Sequence, residues 1–159
     1  MRFLQAMSTS IIGGALAVLF AIGLAGGQSM PQVGTGDIVA DRQRLMKLNG
    51  ASMGDMQAKV KAGQFEAVAV NAETIALNAR HIPALFPKGS ASDKSNAKPE
   101  IWEKRDEFEK AAKNLEAEAV KLRDAARAKD AATTEAMVKD FFRLNCNTCH
   151  TPFRVPPRS

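Results

Sequence analysis

The sequence predicts an all-α protein, an antiparallel four-helix bundle with its chemistry near the end of the last helix, and three observations point there. Aromatic residues make up only 6% of the 159 residues and tyrosine is absent, a composition ill suited to sheets, which favour aromatic and β-branched side chains. Four segments repeat apolar residues at steps of three and four, the period of one helix face. Only one stretch between them is long and aperiodic, so the other connections are short and join antiparallel neighbours. With 45% hydrophobic and 25% charged residues, the length suits a single globular domain. The formal net charge of +5 is spread along the chain, without a Lys/Arg block interleaved with aromatics. That pattern favours solubility and acidic partners and gives no sign of nucleic-acid binding.

In chain order, residues 1–27 read as a secretory signal peptide: Arg2 precedes the nearly uncharged run Ile11–Gly27, and Ala25 and Gly27 are placed for cleavage before Gln28. The alternative is an uncleaved anchor, since the run approaches the roughly 20 residues that span a bilayer. Its glycines and its single flanking Arg2 favour cleavage, which removes one positive charge and leaves no membrane segment. Residues 28–36 form a short polar arm, expected to be mobile.

The bundle domain is expected over residues 37–154. The first helix runs from Asp37 to about Lys61, with Leu45, Leu48, Met53, Met56 and Val60 on its apolar face and Gly63 as its stop. The second carries Phe65, Val68, Ala72, Ile75, Ala79 and Ile82 and ends before Pro83. Pro83 to Pro99 is the one long loop, marked by turn residues and no periodicity. The third helix runs from about Glu100 to Lys129, with Ile101, Phe108, Leu115 and Leu122 one heptad apart. Ala112, Ala119 and Ala126 on the neighbouring row allow close helix contact. Asp130 caps a fourth helix bearing Met137, Val138, Phe141, Phe142 and Leu144. Residues 155–159 form a tail, expected to be frayed.

The fourth helix leads into Cys146-Asn147-Thr148-Cys149-His150, a C-x-x-C-H sequence, which is the attachment signal for c-type haem. On a helix the residues three and four after Cys146 share its face, so two thiols can add to the porphyrin edge while His150 reaches the iron. Two other uses compete. A redox C-x-x-C pair belongs after a strand in a βαβ unit, and no strand pattern occurs here. A zinc site needs four ligands, and only His81 is left to supply one.

A four-helix bundle with C-x-x-C-H near its C-terminus and Arg154 four residues after the His resembles the cytochrome c prime family, over nearly all of residues 37–154. The first helix adds Arg42-Gln43-Arg44-Leu45-Met46-Lys47-Leu48-Asn49-Gly50, similar to that family's first-helix signature and closest to its low-spin, methionine-ligated branch. The resemblance implies one covalent haem c held by Cys146 and Cys149. It also implies His150 as proximal iron ligand, and Arg42, Gln43 and Arg154 at the haem edge. It implies a periplasmic location, an unidentified redox partner protein and a homodimer through the first two helices. Pro152 departs from the pattern, because its ring disfavours continuing the helix toward Arg154. Phe153 also stands where relatives often carry Tyr.

The sixth ligand separates two functions. Met46 lies four residues after Arg42 on one helix face, and Gly50, one turn further on, leaves room for a flat cofactor. Helical spacing alone equally permits Met46 to be an adaptable core filler, like Met53 and Met56. The resemblance favours His150/Met46 ligation and single-electron transfer, a carrier rather than an enzyme. The alternative is a five-coordinate, high-spin iron that binds nitric oxide or carbon monoxide. His81 is expected at a helix end in a surface or capping role, and Trp102 as a packing anchor. At least one of Phe141 and Phe142 is expected in the core.

Overall fold

A computed structural model describes residues 34–156. The expected export segment, most of the polar arm and the last three residues of the tail lie outside the described residues.

Helix α1 (Ile38–Lys61) starts at Asp37, whose carboxylate accepts hydrogen bonds from the amides of Val39 and Ala40. It ends at Ala62, followed by Gly63 at φ +70°, a left-handed conformation that glycine adopts without a Cβ penalty. Its inner face buries Arg42, Leu45, Ser52, Met53 and Met56. Helix α2 (Val68–His81) begins three residues later than the sequence pattern suggested, because Gln64–Ala67 close turns instead. Its buried face is mostly small: Ala69, Ala72, Ala76 and Ala79 flank Val68 and Ile75.

The third predicted helix is two. Helix α3 (Glu100–Glu103) breaks at Lys104, whose φ −115° and ψ 50° are not helical, and α4 (Arg105–Arg127) resumes at once. The break keeps Ile101 and Phe108 both buried while the Trp102 indole turns to donate to the Pro87 carbonyl at 2.8 Å. Helix α4 packs most extensively on α2, and like that helix it buries small residues in the core, Ala112, Ala119 and Ala126. The loop expected over Pro83–Pro99 holds a 3-10 turn at Pro83–Leu85.

Asp130 caps α5 (Ala131–Phe141) by accepting from the Thr133 amide at 3.0 Å. Phe141 is 1% exposed and closes the core beside Val138. The chain then widens into a π-helical turn over Phe142–Cys146 and returns to α-helix as α6 (Asn147–Phe153). A π turn adds one residue per hydrogen-bonded ring and rotates the helix beyond it; such turns are frequent at functional sites. Here it leaves Phe142 and Leu144 half exposed and delivers Cys146 to the start of α6.

Two expectations about the C-terminus need correction. Pro152 sits inside the last turn of α6 and does not stop the helix before Phe153, since a proline there removes only one donor of a turn that is about to end. The start of the tail is also tied down, not frayed: the Val155 amide donates to the Asn96 carbonyl at 2.8 Å and the Lys98 amide to Phe153 at 3.0 Å. With the antiparallel bridge between Ala97 and Arg154, these bonds strap the end of the long loop across α6. The architecture is a four-helix bundle: α1, α2, the α3–α4 arm and the α5–α6 arm. Among the described residues no helix is long and apolar enough to cross a membrane.

Candidate functional site

Between α1 and α6 the bundle opens into a cavity of about 670 Å³. The two helices face each other across this space with little direct packing, and the strap Ser95–Ala97 borders its edge.

The α6 wall is built by the motif. Cys146, Cys149 and His150 are all half-buried and all line the cavity. Burial pushes the Cys146 thiol up to about 11, and burial together with the charge of Cys146 does the same to Cys149, also to about 11. Both are therefore thiols at neutral pH, where a thiolate would be the reactive form. Burial first, and the positive charge of Arg154 second, hold the His150 imidazole below its ordinary value. It is neutral near pH 7, which is the form that binds a metal.

The α1 wall is built by helical spacing. Met46, Gly50 and Gly54 follow one another at four-residue steps, and all three line the cavity. A Cβ placed on Gly50 or Gly54 would meet no atom within 4 Å. The row that begins at Met46 thus carries no side chain at its next two turns, which suits a flat ligand lying against the helix.

The floor is aromatic. Phe86 packs edge-on against Phe108 at 5.1 Å between ring centroids, and Phe108 against Phe153 at 5.3 Å. All three rings line the cavity and all are buried. Charge completes the picture: Arg42, Lys47 and Arg154 line the cavity, and no Asp or Glu does. A cavity with an apolar floor, two thiols, a neutral imidazole and cations without counter-carboxylates fits an iron porphyrin bearing two anionic arms.

The seven residues that the resemblance assigns to the haem and its iron, Cys146, Cys149, His150, Met46, Arg42, Gln43 and Arg154, line this one cavity. His81 does not; it is exposed at the last turn of α2. Phe142 borders the cavity at 51% exposure, whereas Phe141 belongs to the core. Arg42 is the surprise. It is 3% exposed, and its Nε, Nη1 and Nη2 donate to the Leu85 carbonyl, the Ser90 carbonyl and the Ser90 hydroxyl. Residues the sequence pattern did not single out include Gly54, Lys47, Phe86 and the strap. Gly54 was visible as a second glycine one turn beyond Gly50; the loop residues carried no periodic signal. Among the described residues no group of three or more His, Cys, Asp or Glu could hold a metal ion by itself.

Comparison with known proteins agrees on one family. A family profile described as cytochrome C′ matches residues 37–154. The chain is 38% identical over 121 residues to cytochrome c-556 of Agrobacterium tumefaciens (strain II Chrys), covering 74% of this chain and 96% of that protein. It is 39% identical over 123 residues to cytochrome c′ of Pararhodospirillum photometricum, covering 71% of this chain and 92% of the relative. Among solved structures it resembles a cytochrome c′ with ligand-controlled dimer dissociation, with TM-score 0.67, 25% identity and coverage of 75% of this chain and 95% of that one.

Proposed function

The chain belongs to the cytochrome c′ family, whose haem c is covalently attached, and from that premise we propose that it is a periplasmic carrier of single electrons with His150 and Met46 as its two axial ligands. The observation that carries this reading is the placement of Met46 on the α1 wall of the same cavity that has His150 on its α6 wall. When bound, the haem iron supplies a ferric–ferrous couple, and a thioether ligand favours the ferrous state.

The residues around it have separable tasks. Cys146 and Cys149 hold the porphyrin edge to α6. Gly50 and Gly54 would leave room for the haem against α1, and Met46 would supply a thioether from that wall. Lys47 and Arg154 balance the negative arms, and Phe86, Phe108 and Phe153 keep water from the inner edge. The proposed role turns over no substrate.

The test is optical. Wild type is expected to be low-spin in both oxidation states and to respond weakly to carbon monoxide when ferrous. Met46→Ala is expected to be high-spin and to bind carbon monoxide at least about tenfold more tightly, having lost a competing ligand. A wild type already high-spin, binding carbon monoxide readily and unchanged by Met46→Ala, would reverse the reading and make the protein a gas binder.

Location and assembly rest on the same premise. The apolar start of the chain and the c-type motif support export. Leu48 on α1 with Val70 and Leu77 on α2 are large apolar side chains left exposed, which supports a homodimer through these helices. Sedimentation equilibrium of wild type and a Val70→Lys, Leu77→Lys protein should show a dimer and a monomer respectively; two identical masses would discard the dimer.

A further inference from the structure

Arg42 spends its donors on a loop. Its Nε lies 2.6 Å from the Leu85 carbonyl and its Nη1 lies 3.0 Å from the Ser90 carbonyl, while Nη2 donates to the Ser90 hydroxyl. The Ser90 hydroxyl in turn donates to the Pro87 carbonyl at 2.6 Å. The guanidinium carbon also sits 4.2 Å from the centre of the Phe86 ring, close enough for a cation–π contact in a desolvated setting.

The same segment is gripped from its other side. Arg105 donates to the Phe86 and Pro83 carbonyls, each at 2.8 Å, and the Trp102 indole donates to Pro87. Carbonyls that would otherwise face a loop's usual solvent are thus held by side chains from α1, α3 and α4. This is costly architecture for a connection that needs only to join two helices: burying a guanidinium is unfavourable unless its fork is filled, and Arg42 fills it with two backbone carbonyls and one hydroxyl.

The grip places Phe86. Its ring is the first of the Phe86–Phe108–Phe153 series, and Phe153 stands one turn after His150 on α6. We propose that Arg42 is a positioning residue: by locking Leu85–Ser90 it sets Phe86, and through the ring series Phe86 sets α6 and the orientation of His150. This differs from the role the family resemblance implies for Arg42, a contact to the cofactor's acidic edge. It holds whichever sixth ligand the iron has, so it stands or falls apart from the electron-carrier reading.

The experiment uses the haem-loaded protein. Hydrogen exchange of peptides covering 83–99 and 147–155 is compared among wild type, Arg42→Gln, Ser90→Ala, Phe86→Leu and Arg44→Gln, an exposed control. The His150 ring resonances are followed by paramagnetic NMR. Arg42→Gln is expected to speed exchange in 85–90 at least about tenfold. Ser90→Ala, which changes no charge, should speed it less but in the same segment. Arg42→Gln and Phe86→Leu should both move the His150 resonances, whereas Arg44→Gln should leave both readouts unchanged. If Arg42→Gln fails to fold, Ser90→Ala and Phe86→Leu still decide. Wild-type exchange in 85–90 for Ser90→Ala and any folded Arg42→Gln overturns the proposal. A loosened loop with unmoved His150 resonances, or unmoved resonances in Phe86→Leu, overturns it too.

Discussion

A Cys146→Ser, Cys149→Ser protein is expected to lose all of its haem on acid–acetone extraction, whereas wild type should retain it in full. These are the only two cysteines in the chain, and both sit on the α6 wall of the cavity. No other side chain can therefore replace the thioether bonds. Each single serine variant keeps one attachment and should retain haem, with an altered band in the pyridine haemochrome spectrum. The double variant leaves His150, Met46 and the cavity in place, so it should still take up haem reversibly. Haem that survives extraction from the double variant would place the attachment elsewhere and sink the site.

Phe141→Ala should cost about 3–5 kcal/mol of stability, the range for truncating a fully buried phenylalanine. The residue is 1% exposed and is the last of α5 before the π turn. Its ring fixes the core side of the segment that delivers Cys146, so the loss combines buried area with a cavity that neighbours fill only in part. Phe142→Ala is the matched comparison. That ring is 51% exposed, and its removal should cost under about 1 kcal/mol. Urea unfolding of the two holoproteins checks both, through a lowered midpoint at unchanged slope for Phe141→Ala. Equal midpoints would mean that the π turn, and not the packing of Phe141, anchors the C-terminal arm.

The helices were legible because burial writes a period into sequence. Ile101, Phe108, Leu115 and Leu122 keep one face turned inward across the whole third arm, and all four are buried. The same regularity hid the interruption at Lys104, since a break that preserves the heptad leaves the pattern intact. Asp130 was legible as a cap because a carboxylate beside free amides is a local arrangement; Asp37 was read only as the start of its helix, and the structure adds its capping bonds. The π turn left no such mark: Phe142 and Leu144 look like continued core, and only the three-dimensional chain shows them turned out. At the site, Met46 and Gly50 could be placed beside Arg42 by counting turns. The partners of Arg42 could not, because Leu85 and Ser90 lie more than forty residues away in a stretch without periodicity. Pro152 misled for a related reason: its effect depends on how much helix remains, and here only one residue does.

The alanine face shared by α2 and α4 has a consequence for the order of events in making this protein. Ala72, Ala79, Ala119 and Ala126 are each fully buried, so these two helices meet through small side chains and need nothing else to complete their contact. Across the molecule, α1 and α6 pack little on each other and line the two sides of the cavity. An order of assembly in which the α2–α4 pair forms before the C-terminal arm is strapped down is therefore expected. A maturation enzyme that must reach both thiols is best served by that order. Haem attached there would then fill the space that α1 and α6 line and complete the apolar interior.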